Sequence, residues 1–191
     1  MNHDIQAAWA TSEISQRINS DSSTIFADRR SSSITAYASR ESRVKWPITD
    51  GVISIEEIGQ DPYALAVEFK RTNEGVHGVL TALGQAHAYL KKGYKAAVII
   101  IPKKYESHLS PEEHLASIID YTSPNLPIGV FTYEEPDPSL VSPFKNKLTV
   151  VRPIDLSLFT PGVTPGSAVV TAKTETQWAH LREGSSDADA F

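Results

Sequence analysis

The chain contains no cysteine in its 191 residues. Disulfides and thiolate-bound metals are therefore excluded within it, and a reducing cytoplasm is the compartment this composition suits. Long apolar runs are missing as well. The densest, "KAAVIIIP", is strand-sized and far short of the roughly 20 apolar residues that span a bilayer, so no membrane role is expected. "MNHDIQAAWATSEIS" has no basic stretch followed by an apolar one, and no signal peptide is read there. Positive charge is not in excess either. A net charge of −5 argues against a protein whose whole surface binds nucleic acid, while leaving a local basic cleft open. The scattered glycines form neither a P-loop nor a dinucleotide fingerprint. The serines at 31–33 lack the strand–turn–helix setting of a nucleophile elbow. His77 and His87 share one helical stretch without the i, i+4 spacing that puts two imidazoles on one metal.

What is present fits one domain with a sizeable core, since 40% of residues are apolar and 21% charged. "DIQAAWATSEISQRI" carries Ile5, Ala8, Trp9 and Ile18 at helical spacing. The serine-rich "NSDSSTIFADRRSSSITAYASRES" predicts a long irregular segment with room for one short helix. "WPITDGVISIEEI" alternates as a strand, or as a tight hairpin about Asp50-Gly51. After the turn "GQDPY" comes a strand, "ALAVEFKR". "TNEG" then opens a helix, "VHGVLTALGQAHAYLKKG", closed by Gly93 behind two lysines. "YKAAVIIIP" is apolar throughout, as a strand covered on both faces tends to be. "SPEEHLASIIDYTS" is a helix with Ser110 as N-cap, and "LPIGVFTYEE" is a strand. "EPDPSLVSP" is a loop, and "NKLTVVRPIDL" an edge strand. The middle thus reads β-β-α-β-α-β: an α/β fold with a mixed central β-sheet flanked by helices.

The chemistry concentrates in "ALAVEFKR". Period-two alternation sends Leu65, Val67 and Phe69 to one face and Ala64, Ala66, Glu68 and Lys70 to the other. The first set is a core face. The second places an acid and a base beside two small residues that leave room. Asp50 lies on or beside the preceding strand and comes alongside Glu68 if the two strands pair. Two carboxylates from adjacent strands make a hard-oxygen site of the kind Mg²⁺ occupies with several waters retained. Lys70 beside it is placed to orient a water or to offset charge on a phosphate oxygen. On the neighbouring helix Gln85 and Tyr89 stand at i, i+4, away from the Val79, Leu83, Ala86 and Leu90 stripe. The plain readings are a solvated Glu-x-Lys face and a polar helix face turned to water.

"PITD", "VEFK" and "QAHAY", in that order, resemble the PD-(D/E)xK nuclease superfamily over about Trp46 to Tyr133. The resemblance implies a restriction-endonuclease-like αβββαβ core. It makes Asp50 and Glu68 the holders of Mg²⁺ (or Mn²⁺) and Lys70 the catalytic lysine. Gln85 and Tyr89 match the Gln-x-x-x-Tyr of some branches, and Glu13 is the candidate for an accessory acid on the first helix. The proline stands three residues before Asp50 rather than next to it, which leaves Glu56 and Glu57 as alternatives.

The expected domain is 1–160, with its core at 46–133; 161–191 is a tail or the start of a further domain, the chain being an N-terminal fragment of a longer protein. The expected activity is Mg²⁺-dependent endonucleolytic cleavage of double-stranded DNA, by a restriction enzyme or its cleavage module, acting as a homodimer at least on DNA. A repair or recombination nuclease and a non-catalytic DNA-binding module are the alternatives. Between Ser20 and Lys45 the bases Arg29, Arg30, Arg40, Arg43 and Lys45 outnumber the acids. With Arg71, they are candidates to contact phosphates.

Overall fold

A computed structural model describes residues 3–28, 34–41, 46–103, 111–134 and 148–158. The serines at 31–33, Ser110, the "EPDPSLVSP" loop and the segment 161–191 lie outside these residues. So do Arg29, Arg30, Arg43 and Lys45.

The elements run α1 (His3–Asp21), β1 (Ile34–Ser39), β2 (Gly51–Glu57), β3 (Tyr63–Phe69), α2 (Gly75–Lys92), β4 (Ala96–Pro102), α3 (Pro111–Thr122), β5 (Ile128–Tyr133) and β6 (Leu148–Arg152). The strands form one six-stranded mixed sheet in sequential order. β1, β2 and β3 make an antiparallel meander. β3, β4 and β5 are parallel, with α2 and α3 as the crossovers that parallel neighbours require. β6 returns antiparallel on β5.

The sheet divides the core in two. On one face Leu65, Val67, Phe69, Val98, Ile100 and Phe131 pack against Trp9, Ala10, Ile14 and Ile18 of α1. On the other Ala97, Ile99, Ile101, Ile128 and Val130 meet Val79, Ala82 and Ala86 of α2 and Leu115 and Ile119 of α3. Every residue of β4 is buried, which is why its sequence is apolar without a break: each side chain, up or down, meets a helix. Each large apolar side chain so buried contributes about 1.5–3 kcal/mol. Among the described residues no helix is long and apolar enough to cross a membrane.

Two departures from the sequence reading follow from packing. β1 is a strand where an irregular segment is expected. Ile34, Ala36 and Ala38 turn inward while Thr35 and Tyr37 face out, an alternation carried by small residues. Gly51 forms no hairpin turn with Asp50; it begins β2. A Cβ there would lie 2.2 Å from Oγ1 of Thr11, itself fixed by a 2.7 Å hydrogen bond to the Ala7 carbonyl. Glycine is needed because α1 crosses the strand at contact distance. That crossing brings the start of α1 to the end of the strand where Asp50 stands.

Candidate active site

Gly51 pairs with Val67, so Asp50, one residue earlier, comes opposite Glu68. Its backbone N–H donates to the Val67 carbonyl at 3.0 Å. Its side chain folds onto β3, where Oδ2 accepts from the Phe69 N–H at 2.8 Å. Glu56 and Glu57 pair with β1 at the far end of β2 and play no part here. The pairing register sets Asp50, and not these two acids, opposite Glu68.

Glu68 is 2% exposed and Lys70 8%. The Lys70 ammonium lies 2.8 Å from Oε1 of Glu68 and 3.5 Å from Oε2 of Glu74. The Tyr89 hydroxyl hydrogen-bonds Oε2 of Glu68 and lies 3.0 Å from the Ile48 carbonyl. The space beside Ala64 and Ala66 is not open, as the sequence suggests; the rings of Tyr89 and Tyr94 cover it, with Val52. Small residues on β3 make room for two phenols, and one of these reaches the carboxylate.

Burial pushes the Asp50 carboxyl above its ordinary value, against the pull of the Phe69 N–H and of the His3 and Lys70 charges. Burial also raises Glu68, and the nearby Asp50 charge adds to it. Burial works against the Lys70 ammonium, but Glu68, Glu74 and Asp50 outweigh it and hold the lysine above the usual range. Lys70 is thus a fixed cation in this arrangement, a charge to be placed rather than a base to be used. Tyr89 is raised by burial and by Glu68 and stays protonated. The Asp50 charge disfavours ionisation of Glu68, so this is a place where a further cation relieves repulsion.

His3, which the sequence gave no reason to single out, belongs to this site. Its Nε2 donates to the Phe69 carbonyl at 3.0 Å and lies 3.6 Å from Oδ2 of Asp50. Its ring packs edge-on against Phe69. The only available signal would have been the crossing of α1 over Gly51, a tertiary fact. Glu13, the acid expected to join the site, does not: it pairs with Arg17 at 2.9 Å. It stands ten residues beyond His3, about 15 Å along the helix axis.

Gln85 sits one turn before Tyr89, and its Oε1 is buried with no hydrogen-bond partner. The exposed Arg40 is engaged by Asp4 at 2.5 Å. The Arg71 N–H donates to Oε1 of Glu74 at 2.9 Å, and its guanidinium Nε lies 3.8 Å from the same oxygen. Arg40 therefore neutralises the acid beside His3, while Arg71 borders the Lys70 cluster through Glu74.

The donor set fits a hard divalent ion. Asp50 and Glu68 offer carboxylate oxygens, and His3 marks a point within reach of both the Asp50 carboxylate and the Phe69 carbonyl. Among the described residues no group of three or more histidine, aspartate or glutamate side chains is arranged to hold a metal by itself. A cation here would take two carboxylates and keep waters, which is the binding Mg²⁺ prefers. No protein-family model and no curated protein matches the chain.

Proposed function

We propose that this protein is a divalent-metal-dependent nuclease that hydrolyses phosphodiester bonds of DNA, with a restriction-endonuclease-like core. The observation that carries the reading is the convergence of Asp50, Glu68 and Lys70 at one end of two paired strands. This buried cluster holds more acid than base, under a helix that contributes Tyr89. The order α1-β1-β2-β3-α2-β4 supports it, being the αβββαβ order of the family that "PITD" and "VEFK" resemble.

Asp50 and Glu68 would hold Mg²⁺ or Mn²⁺, which when bound polarises a phosphoryl oxygen and lowers the pKa of a coordinated water. The protein's own part is orientation. The Phe69 N–H fixes the Asp50 carboxylate on β3, and Tyr89 fixes that of Glu68. Lys70, kept charged by three carboxylates, presents an ammonium to a phosphate oxygen or to the water that attacks it. The burial of Glu68 and Lys70 strengthens the charge interactions between them.

The test uses supercoiled plasmid with Mg²⁺ and, separately, Mn²⁺. Wild type should nick or linearise it, while Glu68→Gln and Lys70→Gln should lose the activity. Equal cutting by all three, or none by wild type with any divalent ion, ends this reading. A second reading has its own observation: the 2.8 Å contact between Lys70 and Glu68 is a complete ion pair without a metal. A purely structural pair predicts no gain in Tm with Ca²⁺, whereas a metal site gains stability by mass action.

A further inference from the structure

The segment that leads into Asp50 presents large apolar side chains to water. Trp46 is 84% exposed and Ile48 50%, while the intervening Pro47 and Thr49 are buried. The alternation turns Trp46 and Ile48 outward immediately before the first candidate carboxylate. Their exposure does not come from a slack loop. The Lys92 ammonium, at the end of α2, is ion-paired with Glu41 and donates to the Pro47 carbonyl at 2.9 Å. The other oxygen of Glu41 accepts from the Thr49 N–H at 3.1 Å and is 3.3 Å from the Thr49 hydroxyl. The Tyr89 hydroxyl reaches the Ile48 carbonyl. Pro47, Ile48 and Thr49 are each tied to α2 or to Glu41, so the backbone that follows Trp46 is held and Ile48 is presented outward.

Trp46 and Ile48 form an exposed apolar pair immediately before the candidate carboxylate, on a stretch whose residues 47–49 are held. Arg43 and Lys45 stand within three positions of Trp46. The matching partner is therefore anionic and offers flat apolar faces, a combination found in nucleic acid with unpaired bases.

We propose that Trp46, flanked by Ile48, is a base-stacking platform that takes a nucleobase near the phosphate held at Asp50 and Glu68. The identification of the phosphate rests on the nuclease reading; the stacking partner does not need the chemistry to occur. Trp46 precedes Asp50 by four residues, at most about 13–14 Å of extended chain. At roughly 3.4 Å of rise per stacked nucleotide, a strand whose phosphate sits at the carboxylates passes Trp46 within a few nucleotides. The indole cannot enter an intact base-pair stack without opening it, so the ligand it selects is a single-stranded or frayed segment.

The experiment measures binding of a fluorescein-labelled 20-nucleotide single strand, in Ca²⁺ at low salt, to the full chain. Three probes are compared: the strand, the same strand with consecutive abasic positions, and its blunt duplex. Trp46→Ala should weaken binding of the intact strand about tenfold, within the range for losing one base–aromatic stack. Trp46→Phe should recover most of that, and Tm should not move. On the abasic strand, wild type and Trp46→Ala should bind alike. Equal affinity of wild type and Trp46→Ala for the intact strand overturns the proposal. Equal loss on intact and abasic strands also overturns it, because the effect would then lie in phosphate contacts. No binding of any oligonucleotide, with Trp46-dependent binding to anionic vesicles instead, overturns it in favour of a membrane surface. The plasmid assay separates the two readings: Trp46-dependent binding without cleavage leaves the platform standing and removes the nuclease.

Discussion

The two faces of strand β3 are built on opposite principles within seven residues. Leu65, Val67 and Phe69 lie under α1 in an apolar layer, where any substituent of the right volume and hydrophobicity would serve. Ala64, Ala66, Glu68 and Lys70 lie under α2, where two alanines admit two tyrosines and the acid and base close the row. The first face stabilises by area removed from water, and its energy is non-directional. The second holds buried charge, where each group is tolerable only because of a partner. A strand can therefore carry reactive groups deep in a domain when its other face supplies the stability that the charged face does not. β4 completes this support on its side, since it is apolar throughout and brings no charge of its own up to Phe69.

That contrast is sharpest at Phe69 and Lys70, adjacent in sequence and opposite in role. Lys70→Gln should lower the plasmid-cleavage rate by about 10²–10⁴-fold, the range for losing one positioned catalytic group, while the protein still unfolds cooperatively. Phe69→Ala should cost about 3–5 kcal/mol of stability, since Phe69 is fully buried and stacks on Tyr133 with ring centroids 4.7 Å apart. Urea denaturation of both variants checks the pair. A Lys70→Gln protein as unstable as Phe69→Ala would erase the distinction between the faces.

The face assignment was legible in the sequence because strand alternation is local. The octet "ALAVEFKR" states which residues go together, and Gly93 behind Lys91 and Lys92 marks the end of α2, where Gly93 adopts a left-handed φ of 109°. What was not legible depends on contacts between distant segments. β1 was hidden because Ala36 and Ala38 give weak apolar signals beside Thr35 and Tyr37, and its order comes from pairing with β2. His3 reaches the site only because Gly51 lets α1 cross β2. Glu13 is the plausible acid by residue type, yet helix rise carries it away and Arg17 neutralises it. The alanines were expected to leave a cleft, and nothing local in β3 announces that α2 fills that space with Tyr89.

The charged face also responds to pH in the opposite sense to a stabilising ion pair. Asp50 and Glu68 both have raised values, so the folded state binds their protons more tightly than the unfolded chain does. Their ionisation thus opposes folding. The penalty is fully present above the raised values and disappears as pH falls through them toward the ordinary carboxylate range of about 4. Asp50→Asn keeps an oxygen for the Phe69 N–H and removes one of the two charges. Its Tm at pH 7 should exceed that of wild type, by about 2–4 °C for each kcal/mol of repulsion relieved. The gain should shrink toward zero as pH is lowered toward 4. Ca²⁺ should stabilise wild type and have little effect on the variant. A variant less stable than wild type at pH 7, or a gain independent of pH, would show that the two carboxylates do not burden the fold.

The smallest effect expected concerns the hydroxyl that joins the two halves of the site. Tyr89 has one phenolic proton and two acceptors in reach, Glu68 and the Ile48 carbonyl. When Glu68 is ionised, the proton serves the carboxylate. When Glu68 is protonated, its own O–H donates to Tyr89 and frees the phenol to bond Ile48, so both arrangements close the network. Tyr89→Phe keeps the ring over Ala66 and removes only the oxygen. Its cost should be about 1–2 kcal/mol, that of a buried hydrogen-bonding group left short of a partner, far below Phe69→Ala. The variant should also push the Glu68 carboxyl further up, because the phenol's hydrogen bond lowers it in the wild type. Comparing Tyr89→Phe with wild type by urea denaturation from pH 8 to pH 5 tests both parts. The deficit should be largest where Glu68 is charged and should narrow as it takes up its proton; a deficit constant across the range would mean that the hydroxyl serves the Ile48 carbonyl alone, and that α2 steadies the approach to Asp50 without sensing the charge on β3.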